Sequence, residues 1–66
     1  MKPRNVKQAF EQDFVVKSIY NQVGVKIRVD FKRRFHKDDK PDFCSFWINR
    51  KYFVNNYPNI SASYAI

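Results

Sequence analysis

The sequence predicts an α+β fold in which an N-terminal amphipathic helix packs on a three-stranded antiparallel meander. Apolar and charged residues alternate over residues 25–35, as expected for a strand with one buried face. Aromatic residues make up 18% of the chain, which favours a folded core over a disordered basic segment. With 66 residues, the chain predicts one small domain, 1–66, with little room for a deep cleft.

The first predicted element is a helix over residues 5–22. Pro3 and Asn5 are start signals, and Gly24, the only glycine, is the stop signal. At the helical period, one broad side collects Val6, Ala9, Phe10, Phe14, Val16, Tyr20 and Val23. An alternative ends the helix near Asp13 and makes residues 14–20 a strand, because β-branched and aromatic residues fill that segment. The Asn and Gln residues before Gly24 favour the longer helix.

Three strands follow, at about residues 25–35, 43–54 and 60–65. Side-chain alternation assigns a first core set of Val25, Ile27, Val29 and Phe31 and a second of Cys44, Phe46, Ile48, Tyr52 and Val54. A polar loop and an Asn-Asn-Tyr-Pro-Asn turn separate the strands. The last segment alternates as an edge strand does; the alternative is a frayed terminus.

The opposite side of this β-hairpin combines cations with exposed aromatic rings. Cations pair with phosphates while rings stack on bases, so the pattern predicts a nucleic-acid-binding surface for single strands or duplex. A basic face that serves only solubility is the competing interpretation. Phe43 and Phe53 share this side with the basic residues. The candidate binding residues are Lys26, Arg28, Lys32, Arg33, Arg34, Lys37, Trp47 and Lys51.

A net charge of +7 indicates an acidic partner, because self-repulsion on so small a body is relieved by anions. An alternative to nucleic acid is an acidic surface of a host protein, bound by an accessory or inhibitor protein of a phage or mobile element. Self-association into a homodimer is a further route to stability for a short chain. No membrane partner is expected, and a cytoplasmic location, or a nuclear one in a eukaryote, is predicted.

Enzyme chemistry has little support in the sequence. One glycine excludes a glycine-rich phosphate loop, and the single cysteine and single histidine match no metal-ligand spacing. Cys44 is predicted to be a small buried hydrophobe, since alternation points it toward the core. We therefore expect a non-enzymatic protein without a cofactor or metal.

Overall fold

The computed structural model describes residues 2–34 and 42–66, with only the backbone of Asn21 and Gln22. A short helix is followed by a three-stranded antiparallel sheet, in the order β1-β2-β3, and by two further helices. The elements are α1 Val6–Glu11, β1 Phe14–Val23, β2 Lys26–Arg33, β3 Phe43–Asn49, α2 Arg50–Asn56 and α3 Pro58–Ser63. The predicted α+β class, with an N-terminal helix and a three-stranded meander, is confirmed, but the predicted strands differ from those observed.

The long helix over residues 5–22 is wrong, and its alternative is correct. Asn5 begins α1 as predicted, because its side-chain oxygen accepts a hydrogen bond from the Gln8 N–H at 2.9 Å. The helix ends at Glu11, and Asp13 follows with φ of 64°, a left-handed conformation typical of helix exits. Residues 14–23 then pair with β2, because β-branched and aromatic side chains suit a sheet.

Gly24 is a hairpin turn and not a helix stop. Val23 pairs with Lys26, so Gly24 and Val25 form a two-residue connection between β1 and β2. Glycine stands first in this turn, with φ of 47°, where other residues are strained. Val25, predicted to lie in the core, is therefore exposed in the turn.

The predicted second strand over residues 43–54 is too long. It ends at Asn49, whose side-chain oxygen accepts a hydrogen bond from the Tyr52 N–H at 3.1 Å and so caps α2. The side-chain period changes there from two to 3.6 residues, which exchanges the predicted orientations. Phe53, assigned to the outer side, is fully buried, and Tyr52, assigned to the core, is exposed.

The predicted edge strand over residues 60–65 is also wrong, because α3 occupies Pro58–Ser63. Pro58 stands at the first turn of this helix, where its fixed φ fits and its missing N–H costs nothing. Tyr64 follows α3, and its hydroxyl donates a hydrogen bond to the Val16 carbonyl of β1 at 3.1 Å. Among residues 2–34 and 42–66, no helix has the length and apolar character needed to cross a membrane.

The core lies between the sheet and the helices. Ile27, Val29 and Phe31 of β2 are completely buried, as predicted for the central strand. Aromatic rings connect the layers: the Phe31 ring lies 5.2 Å from Phe10 of α1 and 5.9 Å from Phe46 of β3, measured between centroids. Phe53 of α2 completes the buried cluster. The helices therefore cover one side of the sheet.

Candidate nucleic-acid interface

The other side of the sheet, which we call the outer face, is open among the described residues. Its exposed aromatic members include Tyr20, Phe43 and Trp47, with 43%, 43% and 48% of their surface accessible. Strand pairing and alternation place on this face Val15, Lys17, Ser18, Tyr20, Lys26, Arg28, Asp30, Lys32, Phe43, Ser45 and Trp47.

Cross-strand pairing orders the centre of the outer face into rows, one side chain from each strand. Arg28 lies between Tyr20 and Trp47, because it pairs with both. Lys32 pairs in the same way with Val15 and Phe43. Neighbours in a row are about 5 Å apart and alternate residues along a strand about 7 Å apart. Each of these two cations therefore has an aromatic ring as its neighbour on β3.

Asp30 occupies the row between these two and anchors it by hydrogen bonds. Its carboxylate accepts bonds from the Ser45 hydroxyl at 2.6 Å and the Ser18 hydroxyl at 3.2 Å. Arg28 Nε donates to the same carboxylate at 3.2 Å. Desolvation acts to raise the pKa of Asp30, but the hydrogen bonds from Ser45, Arg28 and Ser18 outweigh it and hold the pKa below its ordinary value of 3.8. The outer face therefore carries one fixed negative charge among its cations.

Lys17 reaches the outer face through an irregularity in β1. The register of β1 on β2 shifts between Val16 and Ser18, which leaves Lys17 as an extra residue, as in a β-bulge. Its ammonium nitrogen lies 4.6 Å from the centroid of the Phe43 ring, within cation–π distance. The bulge thus adds a cation to the row that contains Lys32.

Four predicted binding residues lie together on the outer face: Lys26, Arg28, Lys32 and Trp47. Arg33 does not join them, because alternation turns its side chain toward the opposite side of β2. There its guanidinium lies over the Phe14 ring at 5.3 Å and pairs with Asp42 at 3.3 Å. These contacts give Arg33 a structural role at the end of the sheet.

The remaining predicted cations either lie away from the outer face or fall outside the described residues. Arg34 leaves the sheet and pairs with Asp13 at 3.4 Å, while its N–H donates to the Asp13 carbonyl at 2.9 Å. Lys51 belongs to α2 and not to a strand of the hairpin. Lys37, like the predicted strand end at Phe35, lies outside the described residues.

Sequence reasoning missed Lys17, Ser18 and Tyr20 as members of this surface. The favoured long helix removed their segment from the sheet, and with it every contribution from β1. The β-branched and aromatic content of residues 14–20 was the signal that places them correctly.

Cys44 and the acidic residues offer no alternative site in the described part of the chain. Cys44 is half-buried, and burial raises the pKa of its thiol, which disfavours the nucleophilic thiolate. No group of three or more potential metal ligands occurs among residues 2–34 and 42–66.

Comparisons with protein-family models, curated proteins and solved structures found no match to this chain.

Proposed function

We propose that this protein is a small, non-enzymatic nucleic-acid-binding protein that uses the outer face of its sheet. The observation that carries the proposal is the interleaving of exposed aromatic rings with cations on one surface that no described element covers. Tyr20 and Trp47 flank Arg28, and Phe43 neighbours Lys32 and Lys17. Rings of this kind stack on bases while the cations pair with phosphates.

Burial supports a functional role for the rings. Trp47 keeps 48% of its surface accessible, so this large ring adds little to the small core of the chain. Base–aromatic stacking contributes about 1–3 kcal/mol per base, so two or three such rings would supply substantial affinity. The cations add a term that depends on salt and not on sequence.

The width of the face favours single-stranded over duplex nucleic acid. The major groove of DNA is about 12 Å wide and accommodates an α-helix or a two-stranded ribbon. In a three-stranded sheet the backbones of the two edge strands are already about 10 Å apart, and side chains add to this width, so the sheet fits the groove poorly. Stacking on exposed rings also requires unpaired bases, as single strands provide.

Trp47, the only tryptophan, supplies a direct binding assay. We expect a random single-stranded oligonucleotide to quench its fluorescence in the wild type. Trp47→Ala, which lacks this reporter, should bind a fluorescently labelled oligonucleotide at least about tenfold more weakly by anisotropy, through loss of one stacking contact. The matched control is Tyr52→Ala, an exposed aromatic residue on α2. Equal effects of the two substitutions, or no binding by the wild type at low salt, would refute the proposal.

A charge-matched pair of variants tests the phosphate contacts. We expect Lys26→Gln with Lys32→Gln to reduce the slope of log affinity against log salt by about 1.4, since each single-strand phosphate contributes about 0.7. Lys7→Gln with Lys51→Gln removes the same net charge from α1 and α2. Binding measured by fluorescence anisotropy at several salt concentrations should keep its wild-type slope in this control. An equal loss in both variants would mean that only net charge matters.

One observation favours the alternative partner, an acidic surface of a host protein. Asp30 fixes a negative charge at the centre of the outer face, where it repels a phosphate passing between Arg28 and Lys32. A protein surface can complement such a mixed pattern with a donor of its own. If oligonucleotides fail to bind at low salt, the accessory or inhibitor function is the proposal that remains.

A further inference from the structure

We propose that β3 pairs through its outer edge with β3 of a second copy of this chain, giving a symmetric dimer with a six-stranded sheet. β3 lies at one side of the sheet, and no described strand pairs with its other edge. An unprotected edge presents main-chain donors and acceptors that another strand can satisfy. The interface is independent of whether the outer face binds nucleic acid.

The hydrogen bonds at the two ends of β3 show which of its backbone groups point outward. Arg33 N–H donates to the Asp42 carbonyl at 3.0 Å, and Arg50 N–H donates to the Val25 carbonyl at 2.8 Å. In an antiparallel ladder, hydrogen-bonded pairs alternate with non-hydrogen-bonded ones. The register from β2 to β3 is uninterrupted, so the backbone groups of Phe43, Ser45 and Trp47 point away from the sheet.

The two edges of the sheet differ in their protection. On β1, the register is interrupted at Lys17 and again between Tyr20 and Val23, and the Tyr64 hydroxyl occupies the Val16 carbonyl. Bulges, lysines and covered backbone groups are the usual means of preventing edge pairing. Among the described residues, β3 has none of them: its sequence, Phe-Cys-Ser-Phe-Trp-Ile-Asn, contains no charge, no proline and no glycine.

A second copy is the occupant that fits this edge. Two chains of net charge +7 repel each other, but β3 carries no charged side chain and so adds no repulsion at the contact itself. An acidic peptide, by contrast, finds no cation on β3 itself. An antiparallel pair of identical strands is self-complementary about a two-fold axis. Pairing also covers the half-buried inner side chains Phe46 and Ile48, which one copy leaves incompletely packed.

The antiparallel register that pairs the whole of β3 with β3 of the second copy places the two-fold axis at Phe46. Phe46 then faces Phe46 of the second copy, and Cys44 faces Ile48 of the second copy, both as non-hydrogen-bonded pairs. Ser45 of each copy faces Trp47 of the other on the outer face. The aromatic rows of both copies become neighbours, so the dimer doubles the length of the proposed binding surface.

Disulfide trapping tests this register. In the variant Ile48→Cys, the new thiol lies opposite Cys44 of the second copy, with Cα atoms about 4.5 Å apart, a distance that a disulfide spans. Within one chain the two positions are about 13 Å apart, so they cannot bridge. We expect mild oxidation to give a covalent dimer, measured by non-reducing electrophoresis. The wild type and the double variant Cys44→Ser with Ile48→Cys should form no covalent dimer, because each has one cysteine per chain and the dimer holds the thiols of the two copies about 13 Å apart.

Sedimentation of the uncrosslinked protein gives a second readout. We expect the wild type to dimerise with increasing concentration, and Ser45→Pro to weaken dimerisation at least about tenfold by removing an outward N–H from each copy. Ser45→Ala is the control, because it removes the hydroxyl bond to Asp30 and keeps that N–H. Salt should strengthen the dimer by screening repulsion, whereas it weakens nucleic-acid binding.

A wild type that remains monomeric at every concentration and salt would overturn the dimer. So would equal crosslinking of the Ile48→Cys protein and its Cys44→Ser control, since that means random collision. Neither result bears on the proposed function, because both are obtained without an oligonucleotide. If Ser45→Pro fails to fold, as judged by circular dichroism, the wild-type series and the crosslinking still decide.

Discussion

The two sides of the sheet are formed by the same alternating strands, but one side is buried and the other is exposed. On the inner side, Ile27, Val29 and Phe31 of β2 are fully buried beneath the helices. On the outer face, Trp47 and Phe43 of β3 remain nearly half exposed, although they are as apolar as the inner residues. Apolar character alone therefore does not decide which side becomes the core. The positions of the helices decide it.

The largest expected effect is a contrast between an inner and an outer aromatic residue. Phe31→Ala should destabilise the fold by about 3–5 kcal/mol, because the fully buried ring contacts Phe10 and Phe46. Trp47→Ala should lower the free energy of unfolding by about 1 kcal/mol or less, since its ring is half exposed. Urea denaturation followed by circular dichroism measures both. A comparable loss in the two variants would remove the distinction between the faces.

An intermediate effect is expected at Asp30, with opposite signs for stability and binding. Asp30→Asn should reduce stability by about 1–2 kcal/mol at neutral pH, because it replaces the charged acceptor of bonds from Ser45, Ser18 and Arg28. It should strengthen oligonucleotide binding, since it removes the negative charge from the outer face. Binding that weakens in a variant with an intact fold would contradict this placement of Asp30.

The lowered pKa of Asp30 also makes the stability of the wild type relative to Asp30→Asn depend on pH. A depressed folded-state pKa contributes stability that is fully present above the unfolded value, here 3.8, and is lost as pH falls through the folded-state pKa. The stability difference between wild type and Asp30→Asn should therefore shrink below about pH 4. Denaturation curves at pH 7 and at pH 3 test this. A difference that grows on acidification would contradict it.

The smallest expected effect tests the helix that helps to seal the inner side. Asn49→Ala should cost about 1 kcal/mol, because the Tyr52 N–H loses its cap at the start of α2. Asn49→Asp is the matched control, because aspartate caps a helix equally well and is expected to retain the stability. Thermal denaturation of the three proteins provides the comparison. Equal losses in both variants would show that the cap contributes nothing.

The errors in the predicted fold lie where one residue type serves two structures. Gly24 fits both a helix exit and a hairpin turn, because each requires a positive φ. Pro58 suits a turn as well as a helix start, and at Asn49 the apolar alternation favoured a continued strand over a helix start. Local chemistry identified Gly24 and Pro58 as boundaries and missed Asn49, which lies inside the predicted strand over residues 43–54; pairing with distant residues determined what each boundary separates.

The candidate site was predictable only where a single strand defined it. Lys26, Arg28 and Lys32 share a face because alternation within β2 is a local property. Trp47 joined them because its own strand had the correct parity up to Asn49. Lys17 and Tyr20 were missed, since their place on the outer face requires β1 to pair with β2.

By itself, the sequence determined the α+β class, the central strand, its two unlike faces and the cations of its outer face, because side-chain alternation is fixed by backbone geometry. Only the tertiary structure decided that residues 14–23 complete the sheet and that residues 50–63 fold into helices. Segments with mixed propensity take the conformation in which long-range contacts satisfy their backbone groups and bury their apolar side chains. Those contacts cannot be read from neighbouring residues alone.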